Sequence, residues 1–382
     1  MSLQNISDDE AIDLLKKLVS IPSINPSIDT ENGTGEKSIA EFCVKWLKEK
    51  GIKAWNDKVE PGRVNTIAEC GNGNGSTLVL CAHTDTVGIK GMTITPFEPK
   101  IENGKLYGRG SYDMKAGAAS IMACAVEIAK IKFNGKLILA LVCDEEYASI
   151  GAQDFVKKYK ADACILTEPT EEQIVTAHKG FVWFEITTKG NAAHGSRWDL
   201  GKSAISSMGK IINALTEFDE TVLRKRTHEL VGPASMHCSV INGGSAESVY
   251  ASECKMKVER RTLPGENLTE VIDEISNIVK RIDSSTQLRT LLDRSPAVCN
   301  EDEEILGCLH DAFIKVKGKA TENTGVQYWM DMAIFTEAGI PTVDIGIIGE
   351  GAHADVEWAD VDSFIRCTEI LVVTCKRFFK VS

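Results

Sequence analysis

Leu78-Val79-Leu80-Cys81-Ala82-His83-Thr84-Asp85-Thr86 is an apolar run that ends abruptly in a histidine and an aspartate. A short run of this kind is typical of a buried strand. Side chains at the carboxyl end of a strand in an α/β sheet face the crevice where such proteins bind ligands. The two-residue spacing places His83 and Asp85 on one face, where the carboxylate can hold the imidazole or both can bind one cation. A capped structural histidine is the alternative.

Four further clusters carry the same chemical groups, carboxylate or imidazole, at strand ends or in glycine-rich loops. A metal site explains the most acidic of them, because three adjacent acids after a buried strand repel one another unless cations or donors lie nearby. The clusters are Gly108-Arg109-Gly110-Ser111-Tyr112-Asp113 before an alanine-rich helix, Asp144-Glu145-Glu146 after the strand 137–143, Glu168-Pro169 after the strand 163–167, and His353 in the glycine-rich loop 349–355.

Composition narrows the class of protein. A chain of 382 residues is long enough for two domains, and a net charge of -12 argues against nucleic acid as a partner. The N-terminus lacks a basic and apolar leader, and no stretch approaches a membrane span, so a cytoplasmic protein without a membrane partner is expected. Twelve cysteines without a C-x-x-C pair indicate reduced core residues.

Alternating helical and strand patterns predict an α/β domain over residues 1–178 and 292–382. Its sheet should be mostly parallel and flanked by helices. Residues 71–75, Gly-Asn-Gly-Asn-Gly, lead into a strand and not a helix, which favours a hairpin turn over a phosphate loop. Residues 179–291 read as β, α, β, β, α, which predicts an inserted α+β sandwich.

The ordered motifs resemble the di-zinc amidohydrolase and exopeptidase family of acetylornithine deacetylase, succinyl-diaminopimelate desuccinylase, aminoacylase and glutamate carboxypeptidase. The resemblance covers nearly the whole chain. It rests on Ile21-Pro22-Ser23, His83-x-Asp85, Gly108-Arg109-Gly110 with Asp113-Met114-Lys115, Glu145-Glu146, Glu168-Pro169, Ala193-His194-Gly195-Ser196, Arg261-x-x-Pro264-Gly265-Glu266 and Ala352-His353.

The resemblance implies two divalent metal ions per chain. A mixed nitrogen and oxygen ligand set suits zinc, with cobalt or manganese as alternatives. One metal would be held by His83, Asp113 and Glu168, and the other by Asp113, Glu146 and His353, with Asp113 bridging. The family also implies a cis peptide bond between Asp113 and Met114.

Catalytic roles follow from the same resemblance. Glu145 would be the general base, and Asp85 would orient His83 through the ring nitrogen that is not on the metal. His194 of the inserted domain would donate to the oxyanion.

Two cationic residues are expected to meet the substrate. Arg261 matches the family position that contacts a substrate carboxylate, and a surface arginine is the alternative. Lys179 stands in His178-Lys179-Gly180, where desuccinylases carry two arginines, and it keeps one positive charge. This departure weakens the case for a succinylated substrate.

Three functions stay open at this point. The first is a metal-dependent N-acyl amino acid deacylase acting on a small carboxylate-bearing substrate. The second is a metallo-exopeptidase for short peptides, and the third is a catalytically silent binding homologue, although no ligand or base is lost from the motifs.

The inserted domain is expected to act as a dimerisation or lid domain in a homodimer. The strand Phe181-Val182-Trp183-Phe184 and the helix 201–215 are the candidate interface. The alternative is that both cover the core of their own sandwich.

Overall fold

The apolar run forms a buried strand, Thr77–His83, inside a nine-stranded sheet. The computed structural model describes residues 3–381. Every residue of this strand after Thr77 is buried. A strand covered on both faces needs a continuous apolar sequence rather than an alternating one, which is the pattern that the sequence carries.

Helices and strands alternate along most of the chain. The helices are α1 (Asp8–Val19), α2 (Lys37–Glu49), α3 (Ala116–Ala129), α4 (Ile150–Lys158), α5 (Ala204–Thr221), α6 (Leu268–Ile282), α7 (Glu304–Lys317), α8 (Met332–Glu337) and α9 (Val361–Phe378). The strands are β1 (Lys53–Glu60), β2 (Arg63–Gly71), β3 (Thr77–His83), β4 (Lys100–Glu102), β5 (Lys105–Tyr107), β6 (Lys136–Val142), β7 (Ala163–Leu166), β8 (Ile174–His178), β9 (Gly180–Lys189), β10 (Thr227–His228), β11 (Gly232–Pro233), β12 (Ser235–Gly243), β13 (Glu253–Thr262), β14 (Gln287–Arg294), β15 (Ala297–Val298), β16 (Asn323–Val326), β17 (Thr342–Asp344), β18 (Gly349–Glu350) and β19 (Trp358–Asp360). No helix within residues 3–381 is long and apolar enough to cross a membrane.

The chain divides into two units. The first runs to Thr176 and resumes over Cys299–Thr324 and from Met330 onward, and the second comprises Ala177–Val298 and Gly325–Trp329. Residues 179–291, predicted as an insertion, lie inside the second unit.

The large sheet explains why the acidic clusters meet. Its strand order is β1-β2-β6-β3-β7-β17-β8-β15, and the ninth strand, β16, pairs with β8. The four strands β6, β3, β7 and β17 run parallel. The carboxyl ends of parallel strands lie at one edge of a sheet, where α/β proteins bind their ligands. The segments that follow β3, β6 and β7 therefore share one crevice.

The expected hairpin at residues 71–75 is wrong. β2 pairs with β6, which lies between β2 and β3 in the sheet. The main-chain nitrogen of Gly73 donates to the Gly135 carbonyl oxygen at 3.1 Å, so the glycine-rich turn packs against the segment that enters β6. Turn residues specify a chain reversal, but they do not specify that the two flanking strands pair.

α3 brings the bridging aspartate close to the sheet. Every residue from 116 to 128 is buried. A Cβ atom on Gly117 would lie 2.3 Å from the Thr167 carbonyl oxygen, so only glycine permits this approach. The start of α3, just after Asp113, thereby packs directly against the segment that carries Glu168.

The second unit is built on an antiparallel sheet of order β12-β13-β9-β14. Val182, Phe184 and Ile186 of β9 are fully buried in one hydrophobic cluster with residues of α5 and α6. The strand 181–184 therefore covers its own core, and it offers no free edge because it lies between β13 and β14. β12 is an edge strand instead, with Val240 and Ile241 about half exposed.

His178 ends β8 and is fully buried in the second unit. Its Nδ1 lies 2.9 Å from the Lys179 carbonyl oxygen, and its ring stands edge-on to Trp329. Burial lowers the pKa of His178 from 6.5 to about 4, although the hydrogen bond with Lys179 opposes that shift. The side chain is therefore neutral at physiological pH and structural, as its position outside any motif indicates.

We expect His178 to make unfolding pH-dependent between about pH 6.5 and about pH 4. In this window the unfolded chain binds a proton that the folded chain does not, so folding stability falls as the pH falls, by at most about 3 kcal/mol. Urea unfolding at several pH values should show a flatter dependence for His178→Phe than for the wild type. The same substitution at the exposed His237 should leave the dependence unchanged, and equal slopes for wild type and His178→Phe would contradict the assignment.

Candidate metal centre

Two groups of three side chains lie close enough to hold a metal ion each. His83, Asp113 and Glu168 place one ligand atom each within 4.8 Å of one another, and Asp113, Glu146 and His353 do the same. All five belong to the first unit. The structure therefore brings together the five residues that the sequence predicts as metal ligands.

Asp113 is shared by the two groups. Its Oδ1 lies 3.1 Å from His83 Nε2, and its Oδ2 lies 3.3 Å from His353 Nε2. Burial opposes ionisation, yet the two imidazoles hold the pKa of Asp113 below its usual value. A carboxylate with one oxygen toward each group has the geometry of a bridging ligand. The Asp113–Met114 peptide bond is cis, as the resemblance implies.

Glu357 holds the turn that carries Asp113, although no sequence motif indicates this role. This carboxylate is fully buried and accepts hydrogen bonds from the main-chain nitrogens of Gly110, Tyr112 and Asp113 at 2.9–3.0 Å. Arg109 Nη1 donates to it at 2.8 Å. Glu357 gives only a weak signal in the sequence, because its partners lie 244 to 248 residues away.

Arg109 also ties this turn to the loop of His353. Its Nη2 donates to the Ala354 carbonyl oxygen at 3.0 Å, next to His353. His353 itself adopts a left-handed backbone conformation with φ 60°, and Gly351 before it has φ 90°. The glycine-rich loop is therefore needed to turn the imidazole toward Glu146 and Asp113.

Asp85 does not orient His83 through its carboxylate. His83 Nδ1 lies 3.0 Å from the main-chain oxygen of Asp85, whereas the carboxylate oxygen is 3.6 Å away, too far for a hydrogen bond. The Asp85 carboxylate instead accepts the main-chain N–H groups of Glu145 at 3.2 Å and Glu146 at 3.3 Å. The predicted role is corrected: the main chain orients the histidine, while the carboxylate holds the segment of the proposed base.

Glu145 and Glu146 are half-buried acids, and neither has a lysine or arginine among its main electrostatic partners. Burial and Glu168 raise the pKa of Glu145, and burial and Asp113 raise that of Glu146. Glu146 Oε2 lies 2.8 Å from His353 Nε2, but its buried Oε1 has no hydrogen-bond partner. An orphaned carboxylate oxygen among acids and imidazoles fits a cation ligand. The residues present therefore fit a pair of transition-metal ions.

The remaining predicted site residues belong to the second unit. His194 is exposed in the loop after β9, and its Nδ1 lies 2.8 Å from Ser196 Oγ. Arg261 Nε donates to Glu259 at 2.7 Å, and its guanidinium lies 5.3 Å from the centre of the Phe181 ring. Lys179 is buried and its Nζ donates to the Pro233 carbonyl oxygen at 2.6 Å.

Comparison with known proteins adds an independent observation. The model of Peptidase family M20/M25/M40 matches residues 79–377. The chain belongs to this family. Membership makes it a metal-dependent hydrolase that acts on linear amide or peptide bonds, and it confirms the resemblance found in the sequence.

Relatives cover the chain almost completely. The acetylornithine deacetylase of Photorhabdus laumondii is 30% identical over 388 residues, which span 96% of this chain and 97% of the relative. Aminopeptidase PepT of Bacillus cereus has the same fold, with a TM-score of 0.80, 18% identity and coverage of 98% and 99% of the two chains. A dinuclear metal-binding peptidase of the family from Bacillus subtilis follows with a TM-score of 0.76, 17% identity and coverage of 98% and 99%.

We expect divalent metal to raise the melting temperature of chelator-treated protein. A cation bound by the folded state alone neutralises repelling buried carboxylates, and a hundredfold excess over Kd adds about 2.7 kcal/mol of stability. Thermal unfolding with zinc, cobalt or manganese should show a smaller shift for Glu146→Gln than for the wild type.

The control is Glu127→Gln. Glu127 is also a buried carboxylate, but it accepts the N–H groups of residues 4–6 at the far end of α3. This variant should keep the full metal-induced shift. A wild-type shift in Glu146→Gln would remove Glu146 from the ligand set.

Proposed function

We propose that this protein hydrolyses the amide bond of N-acyl amino acids with two bound divalent ions, zinc in the first place. One observation carries the proposal: Asp113 joins two ligand groups while Glu145, next to the ligand Glu146, belongs to neither. That arrangement provides a metal centre with a separate acid–base group beside it. A cytoplasmic location, expected from the sequence, is part of the same proposal.

The residues divide the chemistry between them. Bound cations would polarise the scissile carbonyl and lower the pKa of the attacking water. Glu145 would accept the proton of that water and return it to the leaving amine. Burial and neighbouring Glu168 raise the pKa of Glu145 above that of an ordinary glutamate, which favours proton transfer near neutral pH. The Asp85 carboxylate would keep Glu145 in place by accepting a hydrogen bond from the main-chain N–H of Glu145.

A cluster of positive charge in the second unit supports a carboxylate-bearing substrate. Burial and the positive charges of Arg261, Arg224 and Arg260 lower the pKa of Lys179. We propose that Arg261 contacts the substrate carboxylate, since a guanidinium pairs with it in bidentate geometry. Lys179 would add positive potential behind it.

A substrate panel tests the proposed function. Purified protein, loaded in turn with zinc, cobalt and manganese, should release the amino acid from N-acetyl, N-succinyl and longer N-acyl amino acids. The acetylornithine deacetylase relatives make N-acetyl amino acids the first compounds to assay. Activity confined to di- and tripeptides would replace the deacylase by an exopeptidase, and no hydrolysis with any metal would leave the third reading, a binding homologue.

We expect Glu145→Gln and Glu146→Gln to fail in different ways. Glu145→Gln removes the proton acceptor but no ligand, so metal content should stay at the wild-type level while kcat falls by about 10²–10⁴. Glu146→Gln removes a ligand and should lower metal content as well. Elemental analysis and steady-state kinetics on both variants separate the roles, and metal loss in Glu145→Gln alone would reverse them.

We further propose a homodimer in which His194 serves as the oxyanion donor. The edge strand β12 exposes Val240 and Ile241, and Ile205 of α5 is 46% exposed, so these apolar side chains provide a surface for a second copy. An unpaired edge strand is a template for pairing with another chain.

Subunit mixing tests whether the partner supplies His194. His194→Ala and Glu145→Ala should each be nearly inactive alone. If the site is shared, half of the reassembled dimers are mixed and each has one intact site, so about a quarter of the wild-type activity should return. Mixtures that stay inactive despite measured subunit exchange would place His194 in the site of its own chain or outside catalysis.

A further inference from the structure

Asp144 is turned away from the two acids that follow it. Its backbone is left-handed, with φ 71°, and its side chain is almost fully buried. Oδ1 of Asp144 accepts hydrogen bonds from Arg63 Nη2 at 2.8 Å and from Asn25 Nδ2 at 3.0 Å. Of the three consecutive acids, the first therefore binds protein donors, whereas Glu146 belongs to a ligand group and Glu145 is influenced electrostatically by Glu168 and His83.

Asn25 links Asp144 to the carboxylate that holds the proposed base. Its side-chain amide donates to Asp85 Oδ2 at 2.7 Å as well as to Asp144. Asp85 in turn accepts the main-chain N–H groups of Glu145 and Glu146. The segment 144–146 is thus held at its first residue by a side chain and at the next two by the main chain.

Arg63 supplies the positive charge that offsets the buried carboxylates around it. Arg63 is buried, its guanidinium donates to Glu36 as well as to Asp144, and Glu36 is fully buried. Glu36, Asp85 and Asp144 would otherwise be three buried carboxylates whose mutual repulsion opposes folding. The side chains Asn25, Glu36, Arg63, Asp85 and Asp144 are called the Arg63 network below.

We propose that the Arg63 network is a positioning device for the general base Glu145 and the metal ligand Glu146. By holding Asp144 in the left-handed conformation, it directs the two following side chains to the metal centre. The effect of the network on catalysis through Glu145 rests on the proposed function. Its effect on the ligand Glu146 does not depend on the substrate.

Three variants separate geometry from charge and from stability. Asn25→Ala removes the link between Asp85 and Asp144 and leaves the Arg63 ion pairs intact. Asp144→Ala removes the acceptor, whereas Asp144→Asn keeps an acceptor oxygen, and asparagine tolerates the left-handed conformation well. Glu127→Ala is the matched control, since Glu127 is another buried carboxylate that organises main-chain N–H groups, about 16 Å along α3 from its start.

The first measurement is metal binding without substrate. Chelator-treated protein is titrated with Co²⁺, and the visible absorption of the bound ion reports its affinity and ligand geometry. We expect Asn25→Ala and Asp144→Ala to lower the cobalt affinity about 10- to 100-fold and to change the spectrum. Asp144→Asn should restore most of the affinity, and Glu127→Ala should bind cobalt as the wild type does even where its melting temperature falls.

The second measurement is the split between kcat and KM on the best substrate of the panel. We expect kcat to fall about tenfold or more in Asn25→Ala with KM within about twofold of the wild type, because the network touches the base and not the substrate. A folded Asn25→Ala with wild-type cobalt spectrum and kcat would overturn the proposal. Equal losses in Asp144→Ala and Asp144→Asn would overturn the geometric role. A wild type that hydrolyses nothing would defeat the proposed function, while the cobalt titration would still test the network.

Discussion

The structure depends on holding many negative charges in a small buried volume at the ends of parallel strands. Asp113, Glu146 and Glu168 lie in the two ligand groups of the first unit, Glu145 adjoins Glu146, and all four are at least half-buried. Desolvation and mutual repulsion raise the pKa of three of them, and only Asp113, between two imidazoles, has its pKa lowered. Charge compensation at this edge of the sheet therefore decides which acids remain available for chemistry.

Each acid in the region has its own means of compensation. Asp144 is paired with Arg63, the Asp85 carboxylate with main-chain N–H groups, and Glu357 with Arg109 and three N–H groups. Glu146 and Glu145, which are proposed to bind a cation and to accept a proton, have no lysine or arginine among their main electrostatic partners. The division between structural and chemical carboxylates thus follows from the donors that the fold supplies, and not from the residue type.

The sequence predicts those features that depend on neighbours in the chain. His83 could be placed at a strand end because a short apolar run has one plausible conformation, and the ligand set followed from the family motifs. Glu357 could not be found, since its partners around Asp113 are about 245 residues distant in the sequence and it belongs to no recognised motif. The hairpin after β2 was wrong, and the strand 181–184 proved to be an inner strand, for the same reason: pairing partners in a sheet depend on contacts across the whole fold.

Asp144 illustrates how a correctly recognised motif can still be interpreted incompletely. Three adjacent acids suggest repulsion that a metal relieves, and the sequence contains nothing that distinguishes the first from the other two. The difference arises from one positive φ angle, which turns Asp144 to the side of Arg63 while its neighbours face the imidazoles. Arg63 lies at the start of β2, and Asn25 lies in the segment before α2, so two distant parts of the chain hold the Asp144 side chain. The site therefore depends both on the hydrogen-bond donors that hold Asp144 and Asp85 and on the metal ligands themselves.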